Sequence, residues 1–256
     1  MRSTVVIDFL PESAARYRAG WIVVAIDVIR ATTTAITAAA RGQRCLPVPT
    51  LDAATDVAAL LEHPLLCGEL GGNMPFGWDL TNSPAQVAAL PHWGRPLVLL
   101  SSSGTQLVHN AARADVVYLA CLRNHGATVA HLAARQAHVA VIGAGTRGEF
   151  REEDQCCCAL VAGGLARAGY AVGDETTRMV LDRWKARGPT DWQESRSVDY
   201  LRRSGQVRDL EFILDHVDDL DRVFSVEDGE VVVRHPVTGE RDASHAFPLF
   251  ASPGAE

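Results

Sequence analysis

Short, almost wholly apolar runs recur along the first 142 residues, and Ala-rich segments separate them. The runs are Thr4–Phe9, Trp21–Ile26, 46–48, 65–67, Leu97–Leu100, 116–119 and 139–142. Several do not alternate between polar and apolar residues, as strands facing water on one side do; they read as strands covered on both faces. Helical segments are expected between them at 33–40, 51–61, 105–112, 127–135 and 154–168. Strand, helix, strand in regular succession predicts an α/β fold, a three-layer α/β/α sandwich around a mostly parallel or mixed sheet. After Gly169 the rhythm changes. Arg- and Asp-rich helices are expected at 174–187 and 198–214, with strands only at 223–224 and 231–234. We therefore expect one α/β domain over 1–234, helix-rich from about residue 170. Residues 235–256, rich in Pro, Gly and charge, are expected to form a C-terminal tail.

Charge narrows the partners. The 256 residues carry 24 Lys and Arg against 31 Asp and Glu, a net charge of −7, which argues against a nucleic-acid surface. An anionic small molecule would have to be met by locally concentrated cations. No run of about 20 apolar residues exists, so no membrane span is expected. The opening MRSTVVIDFLP lacks the apolar core of a signal peptide. The six cysteines, three of them the run Cys156–Cys157–Cys158, form no CxxC pair. Reduced thiols and a cytoplasmic location follow as expectations. A homodimer is the base-rate expectation for the oligomeric state.

Four segments carry residues suited to chemistry. The strand Trp21–Ile26 runs into Asp27, Arg30 and the hydroxyls Thr32, Thr33 and Thr34 at a helix start. A carboxylate, a guanidinium and a helix N-terminus together suit a phosphorylated ligand with a metal. The plainer alternative is that Asp27 or Thr32 caps a helix and Arg30 is a surface charge. The second segment, 68–84, is a long loop rich in Gly, Asn and Pro, and Glu69 stands at its start, placed to ligate a metal or simply solvated. The third is Ser101–Ser102–Ser103–Gly104–Thr105, an anion nest or a Ser-capped helix. The fourth, 141–154, contains Gly143, Gly145 and Gly148 in GxGxxG spacing, the dinucleotide fingerprint. Glu149, Glu152, Glu153 and Asp154 follow at once, however, where a pyrophosphate would want no acid. These acids beside Arg147 suit a metal site or a capping set better. Arg123 and Asn124 follow the run 116–119 and would add a cation to the same rim, or belong to a surface loop.

Absences sharpen the picture. There is no DxD at the strand end, no Cys followed six residues later by Arg, no GxxxxGK[ST] and no HExxH. Haloacid-dehalogenase, Cys-phosphatase, P-loop and zinc-hydrolase chemistries are thereby disfavoured.

Taken together, DVIRATTT at 27–34, GELGG and DLTNSP within 68–84, SSSGT at 101–105 and GAGTRGEFREED at 143–154 resemble the 2-phosphosulfolactate phosphatase family of coenzyme M biosynthesis. The pieces fall in the family's order over roughly residues 20 to 160. The resemblance implies an α/β/α fold and Mg²⁺-dependent hydrolysis of a small phosphorylated acid, most directly 2-phosphosulfolactate. It implies Asp27, Glu69 and Asp154 as metal ligands, with Glu153 in reserve, and Asp27, Arg30, Arg147 and Asp154 as the catalytic set. It implies Thr32, Thr33, Thr34, Ser103, Gly104, Thr105, Arg123, Asn124, Gly145 and Thr146 around the substrate. Ser103 stands where the family usually has Asn, and GELGG lacks a basic residue often found in that block. A phosphorylated-metabolite binder without turnover is therefore the second reading, and a dinucleotide-binding oxidoreductase using 143–148 the third.

Overall fold

The computed structural model describes residues 3–91 and 94–234. The expected tail, 235–256, lies outside the described residues. The chain opens with β1 (Thr4–Phe9), a 3-10 turn (Pro11–Arg16) and β2 (Trp21–Ile26), followed by α1 (Ala31–Ala40). Then come β3 (Cys45–Val48), α2 (Leu51–Ala59), β4 (Leu65–Gly68), α3 (Pro84–Ala89), β5 (Leu97–Leu100) and α4 (Gly104–Asn110). β6 (Val116–Ala120), α5 (His125–Ala133), β7 (His138–Gly143) and α6 (Glu152–Arg167) complete the alternating part. The last third holds β8 (Ala171–Val172), α7 (Glu175–Trp184), α8 (Arg196–Arg203), α9 (Val207–Asp215), β9 (Val223–Glu227) and β10 (Glu230–Arg234).

The strands divide between two sheets. The larger has the order β10-β9-β6-β2-β7-β1-β8; it is parallel from β6 to β8, and β9 and β10 are joined antiparallel at one edge. The smaller is parallel, β3-β5-β4. The central strands explain the unbroken apolar runs. On β2, Ile22, Val24 and Ile26 pack with Cys156–Cys158, Val161 and Leu165 of α6. The intervening Val23 and Ala25 pack the other way, with Ala35 and Ile36 of α1 and Leu107 of α4. Both faces are covered, so neither needs polar residues.

The expected sandwich is present in the larger sheet with helices on both faces, and the smaller sheet adds a further layer outside α1 and α4. A separate core of Val48, Ala54, Val98 and Leu100 seals α2 against the far face of that sheet. Helix α1 thus lies between two sheets, and nine of its ten residues, ATTTAITAAA, are buried. Small side chains on every side permit this close fit. Ile36 is its one large anchor, fully buried, and truncation to Ala would cost about 2–5 kcal/mol. The helix expected over 198–214 is two helices, α8 and α9. Gly205, at φ +71°, breaks it with a conformation other residues adopt at a cost.

The six cysteines are free and buried. Among the described residues no helix is long and apolar enough to cross a membrane.

Candidate active site

Two pairs of strand ends place the site. On the larger sheet Ile26 is in register with Gly143, and the Ala144 N–H donates to the Ile26 carbonyl at 2.7 Å. Asp27 and the turn after β7 therefore emerge side by side. On the smaller sheet Gly68 is in register with Leu100, and the Glu69 N–H donates to the Leu100 carbonyl at 3.1 Å. This sets Glu69 beside Ser101 and Ser102. A cavity of about 770 Å³ lies between these carboxyl ends, where open α/β sheets bind ligands, with α8 as its far wall.

The floor is buried and its charges are fixed. Asp27 is 6% exposed, with the first amide of α1, Ala31, facing its carboxylate and Gly104 packed against its Oδ2 atom. Burial above all, with Glu69 and Glu153, pushes its pKa up to about 7 against the opposing Ala31 amide and Arg30. Behind it, Asp154 accepts from the Val28 N–H at 2.8 Å and the Gly145 N–H at 3.2 Å. Burial and the neighbouring Asp27 and Glu153 hold the Asp154 carboxyl well above the usual range despite those donors. Glu153 is raised by burial as well, against Ser197 and Ser195, and its Oε2 has no partner among the described residues. Three acids in one buried region cannot all be ionised without a compensating cation. Glu69, in contrast, is fully engaged: one oxygen accepts from the Ser102 N–H (2.7 Å), the other from the Gly72 N–H (2.7 Å) and the Ser102 hydroxyl (3.0 Å). It pins the long loop to the β5 turn.

Arg30 is the buried cation of the floor, 4% exposed and ion-paired with Asp209 of α9 at 2.5 Å. Around the rim stand Arg147, Arg151, Arg196 and Arg203, with Glu149 and Asp199 among them. Glu149 pairs with Arg151 and Arg196, and Asp199 with Arg203, whereas Arg147 forms no ion pair among the described residues. The cavity is cationic on balance although the chain is acidic. A negatively charged ligand needs such local enrichment.

Of the residues expected at the site, Asp27, Arg30, Glu69, Ser103, Thr146 and Arg147 line the cavity. The threonines of α1 do not. Thr32 bonds the carbonyls of Asp27 and Ala120, Thr33 that of Val28 and Thr34 that of Arg30. A helix enclosed by two sheets has no water to satisfy its hydroxyls, and they turn to backbone carbonyls instead. The amides of the serine turn are used similarly: Ser103 and Gly104 N–H groups both point to the Ser101 hydroxyl, and Thr105 closes the turn on the Ser101 carbonyl. Arg123 pairs with Asp219 at 2.6 Å and reaches Thr37, while Asn124 bonds the backbone of Cys121 and Leu119. Both brace the β6–α5 turn. The Gly145 N–H, which a pyrophosphate would take in a dinucleotide fold, is taken by Asp154.

Comparison with known proteins identifies the lineage. The family model described as 2-phosphosulpholactate phosphatase matches residues 8–229. A probable 2-phosphosulfolactate phosphatase of Pseudothermotoga lettingae is 29% identical over 211 residues, 80% of this chain and 88% of that one. That of Deinococcus radiodurans is 36% identical over 178 residues, 68% and 72% of the two chains. That of Thermus thermophilus is 34% identical over 183 residues, 68% and 73%. The chain belongs to the 2-phosphosulfolactate phosphatase family. The match runs past Gly169 and takes in α8 and α9, which the motif resemblance over 20–160 does not reach.

Helix α8 carries cavity residues that motif reading misses. Arg196, Tyr200 and Arg203 fall four and three residues apart, on one face of α8, and that spacing is the available sequence signal. Tyr200 donates to the Gly72 carbonyl and so ties α8 to the Glu69 loop. Asn82, 2% exposed and with its Oδ1 unpartnered among the described residues, lines the cavity from the other end of that loop. Asp209 of α9 and Gln206, which precedes that helix, approach Arg30.

Proposed function

We propose that this family member hydrolyses the phosphate ester of a small hydroxyacid that bears further negative charge, with 2-phosphosulfolactate the first candidate, and that it does so with Mg²⁺. The observation that carries the reading is a buried carboxylate and a buried, ion-paired arginine side by side on the floor of a cavity whose rim is lined with four more arginines. Phosphoryl transfer depends mainly on positioning and on charge set in place beforehand, and this arrangement supplies both.

The donor set fits Mg²⁺ bound to few protein ligands. Among the described residues no three metal-ligating side chains gather into a cage. Mg²⁺, however, commonly binds through one or two carboxylates, with waters and substrate oxygens completing its shell. Asp27 is the buried carboxylate that lines the cavity, and a cation there would let Asp27 ionise beside Glu153 and Asp154. Glu69 and Asp154, whose oxygens already accept backbone N–H groups, contribute field in addition to any direct bond. A divalent cation bound at Asp27 supplies neutralisation of phosphoryl oxygens and activation of a water.

The protein's own residues do the rest. Arg30 grips the phosphoryl group, and Asp154 holds the β2 and β7 turns in register through Val28 and Gly145. Arg147 and the α8 arginines receive the acid's remaining charges. The test is phosphate release from racemic 2-phosphosulfolactate and a panel of phosphorylated hydroxyacids, with and without Mg²⁺. Mg²⁺-dependent release, fastest from phosphosulfolactate, is expected. Release from none of them, with phosphate esters still bound, would replace the enzyme reading with that of a metabolite binder.

A further inference from the structure

The contacts of Arg30 are one-sided. Its Nη1 atom donates to both Gln206 Oε1 and Asp209 Oδ2, whereas Nε and Nη2 make no hydrogen bond among the described residues. Neither of those two atoms is sealed from the cavity as an unpartnered buried donor. With Nη1 engaged, the Nε–Nη2 edge of the guanidinium is the one left to offer two parallel N–H bonds to two oxygens of a phosphoryl or carboxylate group. Asp209 is itself clamped, since its other oxygen accepts from the Ser83 hydroxyl and from the Ala85 N–H at 3.2 Å. Both charges are almost wholly buried, 4% and 3% exposed. The pair joins the β2–α1 turn to α9 and to the end of the Glu69 loop.

We propose that Asp209 is a positioning residue: by clamping Nη1 it fixes Arg30 with its Nε–Nη2 edge presented to the cavity as the fork for the ligand's phosphoryl group. The inference rests on the phosphatase reading for the identity of that group, but the clamp itself rests on contacts alone. A bare lysine or a loosely held arginine would lose rotamer freedom on each binding event; a guanidinium braced from behind has lost it in folding. Asn82, next to Ser83 and with its buried Oδ1 unpartnered among the described residues, sits on the same wall, so the clamp and the loop end form one structural unit.

The experiment measures the affinity for inorganic phosphate in the presence of Mg²⁺ by calorimetry, and kcat and KM for ester hydrolysis, in wild type, Asp209→Asn, Asp209→Glu and Arg30→Lys. Asp209→Asn keeps the shape and loses the charge. It should weaken phosphate binding and lower kcat by about tenfold to a hundredfold, with Asp209→Glu recovering part of the loss. Arg30→Lys keeps a cation beside Asp209 but removes the fork, and should lose at least as much. If Asp209→Asn fails to fold, as removal of one buried partner can cause, Ser83→Ala loosens the clamp without unpairing a charge and should still cost several-fold in phosphate affinity. An active wild type with Asp209→Asn or Ser83→Ala at wild-type affinity and kcat, and only a lower thermal midpoint, overturns the proposal and leaves the phosphatase reading standing. A wild type that releases no phosphate from any ester, yet binds phosphate through Arg30 and Asp209, supports the clamp and overturns the enzyme reading. A wild type that neither binds phosphate nor releases it overturns both.

Discussion

The floor and the rim of the cavity are built on opposite principles. On the floor the charges are held from within: Arg30 is locked to Asp209, Asp154 to two backbone amides, and Glu69 to the Ser102 turn. On the rim the partners are exposed, Arg196 at 77% and Arg203 at 80%, paired with Glu149 and Asp199, which are themselves half in water. Surface pairs of this kind contribute about 0–1 kcal/mol, and salt screens them. A buried, hydrogen-bonded charge cannot be moved without leaving an unpaired ion, so its position is set before the ligand arrives. The floor therefore suits the reacting group, which needs fixed geometry. The rim suits capture and selection of the charges around it, where adaptable side chains suffice.

The floor is most crowded at Gly104. A Cβ added at Gly104 would stand 2.3 Å from Asp27 Oδ2 and 2.5 Å from the Ala31 Cβ. Gly104→Ala should displace Asp27 or α1, lower kcat by about a hundredfold and cost about 1–3 kcal/mol of stability. Steady-state kinetics together with a thermal melt read both. Wild-type kcat in this variant would mean that Asp27 has no fixed position to lose.

On the rim, the double variant Arg196→Ala/Arg203→Ala should raise KM by about tenfold, leave kcat within about twofold, and reduce the dependence of kcat/KM on ionic strength. The result that contradicts the division is a fall in kcat with KM unchanged.

A third change lies outside both regions and serves as the contrast. His131 is buried against the Tyr118 hydroxyl at 3.0 Å; burial and the nearby Arg135 and Arg234 push its pKa down to about 4. The unfolded chain binds this proton near pH 6.5 and the folded chain only near 4. Stability should thus fall as pH drops through that window, by up to about 3 kcal/mol, and gain nothing from this group above it. His131→Gln should flatten the acid limb of the thermal midpoint and leave kcat at pH 7 unchanged. An equally steep acid limb in the variant would assign the dependence to other groups.

Much of this was legible in the sequence. Uninterrupted apolar runs announce strands covered on both faces, and Asp27, Glu69 and Ser101–Ser103 stand at strand ends because their runs stop there. Less legible is how a residue's hydrogen bonds are spent. Thr32–Thr34 look like ligand donors in a linear motif, yet α1 is enclosed by two sheets, a fact of tertiary packing that no local pattern shows. The division of the strands between two sheets is hidden for the same reason, since each run is as apolar as the next. Asp209 is invisible because its partners Arg30 and Ser83 lie 179 and 126 residues away. An acid on an amphipathic helix ordinarily faces water.

Asp27 is the centre of the proposed chemistry, and its replacement by Asn is the decisive change. The measurement is Mg²⁺-dependent phosphate release from 2-phosphosulfolactate by Asp27→Asn, with circular dichroism of the same sample. The substitution keeps the shape against Gly104 and removes one buried charge, so we predict a folded protein whose turnover falls by at least about a hundredfold. A folded variant with wild-type, Mg²⁺-dependent turnover would remove Asp27 from the chemistry and the floor of this cavity from the mechanism.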